Sequence, residues 1–166
     1  MSTISARSSG DFSNPVSLVL PVANSDRSDT IGEICMKSER KLKALCKRSW
    51  GIDLTYRIKK INEVTRGWIN YFRIGSMKDK LRRIDEHLRT MIRVIIWKQW
   101  KTAKKRKWGL LKLGVEKWIA HKVANWGNHY QLVATKSVVS RAISKEILTK
   151  RGLISISDYY RKVAHI

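Results

Sequence analysis

Residues 77–100 read MKDKLRRIDEHLRTMIRVIIWKQW. Met77, Leu81, Ile84, Leu88, Met91 and Ile95 recur at alternating steps of four and three, which lines apolar side chains along one side of an α-helix. Ser76 and Asp79 form a capping box at its start. The spacing predicts one long helix running to about residue 106. At about 1.5 Å per residue it would span roughly 45 Å and join two halves of the structure.

Working upstream, Ile58, Ile61, Val64, Trp68, Ile69 and Phe72 form a second helical stripe, with Asp53 as its N-cap and Gly75 as its stop. A shorter helix is expected over 37–48, with Leu42 and Leu45 on one face, before a break at Ser49, Trp50 and Gly51. Downstream, Gly109 and Gly114 punctuate a linker. Helices are expected over 115–126, using Val115, Trp118, Ile119 and Val123, and over 136–150, using Val139, Ile143, Ile147 and Leu148. Gly152 ends the latter, and Ser157 caps a last short helix carrying Tyr159 and Tyr160. No proline follows Pro21 and no long alternating strand pattern competes, so the fold class is all-α.

The chain has 166 residues, enough for one domain or two small ones. Its 35 Lys and Arg outnumber 13 Asp and Glu, a net charge of +22. Residues 1–35 carry none of that surplus: Arg7 and Arg27 stand against Asp11, Asp26, Asp29 and Glu33. They hold both prolines and none of the seven tryptophans, and are expected to be a disordered or unrelated leader. The surplus therefore falls on residues 36–166, where it repels itself unless a polyanion neutralises it. Nucleic acid is the leading partner, ahead of an anionic membrane surface. No apolar run is long enough to span a bilayer, and nothing at the start reads as a secretory signal.

Catalytic and metal-binding patterns do not emerge. There is no Gly-rich phosphate loop, nucleophile elbow or His–Glu pair at metal spacing, so no catalytic residue, metal ligand or cofactor is assigned. His87, His121, His129 and His165 are scattered, and Asp85 and Glu86 diverge by about 100° on a helix. Cys35 and Cys46 read as plain thiols of a reducing compartment.

The candidate sites are cationic. Arg82, Arg89 and Arg93 share one line of the long helix with Trp100, Trp97 lying beside it. A row of guanidinium forks suits phosphates along a strand, with a solvated face as the plain alternative. For Trp97 and Trp100, packing in a helix seam leads over base stacking. The densest cluster is Lys98, Lys101, Lys104, Lys105, Arg106 and Lys107. The helix dipole is worth under about 1 kcal/mol to each such charge, too little to account for six. A polyanion accounts for them better, and a nuclear-import signal would look similar. Arg66 and Arg73 lie on one line of the preceding helix and come next as phosphate contacts.

One stretch goes beyond pattern. Residues 61–75, INEVTRGWINYFRIG, resemble the maturase-specific region of group II intron-encoded reverse transcriptase/maturases. Asn62, Arg66, Gly67, Trp68, Asn70, Tyr71 and Phe72 occupy the family's motif positions. Trp50-Gly51, Ile84-Asp85 with Arg89, IIWKQWK at 95–101 and GLISISDYY at 152–160 extend the likeness over residues 36–166, the last resembling bacterial members. The resemblance implies a thumb-like helical bundle over 36–106, followed by a small basic helical region over 107–166 that contacts DNA in relatives. It implies binding of group II intron RNA to assist folding and splicing, in a bacterial cytoplasm. The family's Tyr-Ala-Asp-Asp polymerase motif and its endonuclease metal ligands are not in this sequence, so the chain reads as a truncated, non-enzymatic fragment. The alternatives are the thumb of a split reverse transcriptase, working with a separately encoded polymerase domain, and a remnant that binds nucleic acid without specificity.

Independently of any family, Gly67 sits inside a helical stripe at a penalty of about 1 kcal/mol relative to Ala. Such a residue suits a close approach by a neighbouring helix or an RNA backbone.

Overall fold

A computed structural model describes residues 27–72, 78–127 and 129–164. Among the described residues there are nine helices and no strand. They are α1 (Arg27–Leu45), α2 (Leu54–Phe72), α3 (Lys78–Gln99), α4 (Ala103–Lys112), α5 (Lys117–Ala124), α6 (Tyr130–Thr135), α7 (Ser137–Ala142), α8 (Lys145–Lys150) and α9 (Ile156–Val163). The all-α expectation holds. Residues 1–26, the side chain of Phe72, residues 73–77, which include Arg73, Gly75 and Ser76 of the proposed capping box, and His165 lie outside the described residues.

The organising element is α3. Its predicted stripe is inside: Leu81, Ile84, Leu88 and Ile95 are buried and Met91 is half-buried. Beyond Leu88 burial extends round the helix to Ile92, Arg93, Val94, Ile96 and Trp97. The cause is packing on several sides at once, since α1, α6, α7 and α9 all lie against α3. Over residues 92–97 the helix therefore has no solvated face left, whereas Arg82, Arg83, Glu86 and His87 in its first half stay exposed. α2 packs against α1 and α9, placing Ile58, Ile61, Trp68 and Ile69 in the same core.

Several boundaries differ from the sequence reading, each for a local reason. α1 starts at Arg27 rather than 37, and Cys35 is fully buried. The expected boundary at residue 36 thus falls within a helix. α3 stops at Gln99 after 22 residues, about 33 Å, instead of continuing to 106. Thr102 adopts extended backbone and its hydroxyl accepts a hydrogen bond from the Lys105 N–H, which starts α4 as a separate helix. The expected boundary at 106/107 accordingly lies inside α4. The single helix expected over 136–150 is two, because the Ser144 hydroxyl accepts the Ile147 N–H and caps α8 afresh. The last helix starts after Ser155 rather than Ser157. Asp53 caps α2 as expected: Oδ2 accepts the Thr55 N–H at 2.8 Å, and that bond holds the carboxyl below the usual carboxylate range.

Connections between helices rely on buried arginine. Arg57, 1 % exposed, donates to the carbonyls of Leu45, Lys47 and Trp50 and lies over the Trp50 ring. It satisfies carbonyls where α1 ends and the chain turns into α2. Burial draws the Arg57 pKa below its ordinary value. Nearby, burial pushes the Cys46 thiol up to about 12, so it is protonated and a poor nucleophile at neutral pH.

Two helical glycines behave oppositely. A Cβ on Gly109 would come within 2.6 Å of the Trp100 ring, so the indole lies directly on the α4 backbone. A Cβ on Gly67 would meet nothing within 4 Å, so no neighbouring helix among the described residues explains that glycine. Gly67→Ala should therefore stabilise the chain by about 1 kcal/mol through helix propensity. Gly109→Ala should destabilise it by about 1–2 kcal/mol, because overpacking outweighs the same gain. Urea unfolding of the two variants reads the opposite signs directly.

Candidate nucleic-acid interface

The motif helix α2 uses its polar residues largely within the protein. Asn62 donates through Nδ2 to the Gly152 carbonyl at 2.7 Å and accepts the Ile154 N–H at Oδ1 at 3.0 Å. This amide clamps the α8–α9 connection, where Gly152 has φ of +92°. The Tyr159 hydroxyl donates to Asn70 Oδ1 at 3.3 Å. Trp68 is in the core, as expected. Arg66 is exposed, beside clefts lined on the far side by Arg151, Gly152 and Lys162.

The arginine line of α3 does not form one surface. Arg82 is exposed and approaches Asp79 at 4.0 Å. Arg89 is turned inward, with Nε donating to the Asp85 carbonyl and Nη2 3.6 Å from the Asp85 carboxylate. Arg93 is buried: Nε donates to Ile143 O at 3.0 Å and Nη2 to Ser140 O at 3.4 Å, fastening α3 to the end of α7. Burial, then the neighbouring Arg89, lowers the Arg93 pKa. Arg106 is also buried, donating to Trp100 O and Gly127 O at 3.0 Å with its guanidinium over the Trp97 ring. Arg93 and Arg106 are thus corrected from phosphate contacts to internal ties, since each guanidinium is occupied by backbone carbonyls. Trp97 is fully buried and Trp100 half-buried, which supports the seam reading for both.

The lysines behave differently. Lys98 is exposed but donates to the Arg48 carbonyl at 2.9 Å. Lys101, Lys104 and Lys105 are exposed and Lys107 is half-buried. Among the described residues, the acids that form ion pairs are Glu33, Glu39, Glu63, Asp79, Asp85 and Asp158. They lie on α1, α2, the first half of α3 and α9, and none pairs with a lysine between 98 and 122. The end of α3, α4 and α5 therefore carry a run of lysines without ion-pair partners among the described residues, interrupted by Glu116; such a run is the kind of charge that attracts a polyanion.

Sequence reading missed the exposed aromatics of this same region. Trp118 was expected inward with Ile119 and Val123, yet it is 67 % exposed, and Trp108 is 64 % exposed. The helical period does carry the signal for Trp118: it is the neighbour of inward-facing Ile119, and a residue one step along is rotated by about 100°. Among the described residues, no three His, Cys, Asp or Glu converge as metal ligands, and no helix is long and apolar enough to cross a membrane.

No curated protein matches the chain. Residues 36–114 match the family model described as group II intron, maturase-specific domain. The matched span covers the end of α1 together with α2, α3 and α4, from the Asn62–Phe72 motif to the lysine run. Residues 36–114 are thus similar to the group II intron maturase-specific domain and form a maturase-type region of this chain.

Proposed function

We propose that the chain binds group II intron RNA and assists its folding for splicing, the RNA itself performing the splicing chemistry. The match to the maturase-specific domain carries this reading, and the unpaired lysines from Lys101 through α4 give it a physical means. Phosphate contact is assigned to Lys101, Lys104, Lys105 and Lys107, with Arg66 and Arg82 as outlying contacts and Lys98 at the edge. Field strength would set affinity, and RNA shape would set placement. No catalytic step is assigned to the protein.

The test is competition. Full-length chain is bound to a folded group II intron RNA across a salt series, with unrelated structured RNA and duplex DNA as competitors. Preference for intron RNA by about tenfold or more near physiological salt, about 1.4 kcal/mol, is the expected result. Equal binding of all three polyanions, collapsing together with salt, would leave only a basic remnant with non-specific affinity.

One observation favours a second reading, in which the chain also serves as the thumb of a split reverse transcriptase. An apolar groove between α1 and α2 is lined by Ala44, Leu45, Trp50 and Val64, and Met36 on α1 and Tyr56 on α2 are about half exposed. A separately encoded polymerase domain would cover such a face. Co-purification of a protein carrying the Tyr-Ala-Asp-Asp motif distinguishes this reading.

A further inference from the structure

The α4–α5 hairpin exposes two tryptophans within the uncompensated charge. Exposure of about two-thirds is unusual for the largest side chain, which is highly buried on average. On α4, Lys104 and Lys105 lie one turn before Trp108, and Leu111 and Lys112 one turn after, so all share its face. All are exposed, and Lys112 Nζ lies 5.1 Å from the Trp108 ring centroid. On α5, His121 and Lys122 follow Trp118 at the same spacing and are exposed too. The Trp118 indole N–H donates to Glu116 Oε2 at 2.6 Å. That bond fixes the ring and engages the only acid in the hairpin sequence.

The two arms are held to one another. α4 packs on α5, with Leu110, Ala120 and Val123 buried. Gly114, at φ +82°, makes the turn after α4. The tryptophans are therefore carried on a fixed support rather than on a loose segment.

We infer that Trp108 and Trp118 are stacking surfaces for unpaired bases of the bound RNA. The surrounding lysines hold the backbone, and the hairpin thereby favours single-stranded segments over paired ones. The inference rests on the RNA-binding reading above and specifies which part of the RNA this face takes. Charge identifies the occupant. Lys104, Lys105, Lys107, Lys112, Lys117 and Lys122 make no ion pair among the described residues, so a polyanion belongs here. A purely paired helix offers phosphates but no free base face, which would leave both indoles in water. Lysine with exposed aromatic rings is the combination that binds single strands with little sequence preference. A bilayer surface would instead call for a continuous apolar face. Here Leu111 is the one apolar side chain beside Trp108 on its helix face, and the other neighbours one turn from either tryptophan within its helix (Lys104, Lys105, Lys112, His121 and Lys122) are charged or titratable.

The experiment uses the full chain and three labelled probes: a short oligouridylate, a blunt RNA duplex of the same length, and the matching oligothymidylate. Trp108→Ala and Trp118→Ala should each lower oligouridylate affinity by about tenfold, the value of one base–aromatic stack. Duplex affinity should stay within about twofold, because its contacts are phosphate contacts alone. Trp108→Tyr should retain most of the affinity, since a phenol ring also stacks. Both positions are exposed, so unfolding midpoints should not move, and a shifted midpoint with parallel loss on all probes would assign the rings to folding and overturn the inference. Unchanged oligouridylate binding, or equal loss on single strand and duplex, would overturn it as well. Tryptophan-dependent preference for oligothymidylate would overturn the assignment to RNA. So would tryptophan-dependent binding to phosphatidylserine vesicles with no effect on oligouridylate. Failure of intron RNA to outcompete other RNA leaves this comparison intact and overturns only the maturase reading.

Discussion

Replacing Lys101, Lys104, Lys105 and Lys107 together by glutamine is expected to lower affinity for folded intron RNA by about 10³-fold at 0.1 M salt. Binding that neutralises phosphates loses affinity linearly in log salt, by about 0.7–0.9 per phosphate. Four lost contacts should flatten the slope by about 3, and the wild-type and variant lines should converge near 1 M salt. Folding should survive, because Lys101, Lys104 and Lys105 are exposed, Lys107 is only half-buried, and none makes an ion pair among the described residues. Stability at low salt should rise slightly as self-repulsion falls. Isotherms at several salt concentrations read the slope. An unchanged slope would place the phosphate contacts elsewhere. Arg106, four residues beyond Thr102 in the same cationic run, is the internal contrast. Its substitution should act on folding, because its guanidinium holds Trp100 O and Gly127 O rather than facing solvent.

That contrast marks what the sequence can and cannot carry. The helices of the core were legible because their apolar positions repeat at 3.6 residues, and Ile58, Ile61, Trp68, Leu81, Ile84 and Leu88 are all buried. The excess charge was legible because composition alone reports it. The fate of each cation was not. Arg82, Arg89 and Arg93 share a line on α3, yet the first is exposed, the second turned to Asp85 and the third enclosed. What separates them is α6 and α7 arriving from more than 30 residues away, which no local pattern encodes. Helix ends were misplaced for the opposite reason. Thr102 and Ser144 are plain N-cap residues, but their signals were overridden by apolar and basic periodicity that continues across them. The polar residues of the Asn62–Phe72 motif mislead in a third way. A motif of amides beside an arginine reads as a binding surface, whereas Asn62 and Asn70 tie α2 to the last helix. What remains on that helix for an outside partner is Arg66 and the open space over Gly67. An RNA backbone approaching Gly67 would account for the helix penalty that no internal packing explains.

Asp85→Ala is expected to be the most destabilising single change, by about 3–5 kcal/mol in urea unfolding of the full chain. The side chain is 2 % exposed and sits at the start of α9, whose own Ser155 makes no side-chain cap. Asp85 supplies that cap from α3. Oδ1 accepts the Ile156 N–H at 3.1 Å, and Oδ2 accepts the hydroxyls of Ser155 at 3.2 Å and Ser157 at 3.5 Å. Its negative charge also faces the positive end of the α9 dipole and the Arg89 guanidinium. Alanine would leave a buried N–H and a buried hydroxyl without their acceptor, beside a cation without its anion. The Asp85→Asn variant keeps one acceptor and loses the charge, so about 1–2 kcal/mol should be lost there instead. The damage should be local first. Hydrogen exchange should quicken in α9 and in residues 152–154, which Asn62 holds, before it quickens in α4. Affinity of the folded fraction for RNA should change little, because the lysines of α4 are mounted on the opposite end of α3 from Asp85. A loss below about 1 kcal/mol would mean that α9 keeps its place through Ile156 and Tyr160 packing alone. The Ser155 and Ser157 hydroxyls and the Ile156 N–H would then contribute little beyond apolar fit to the placing of α9.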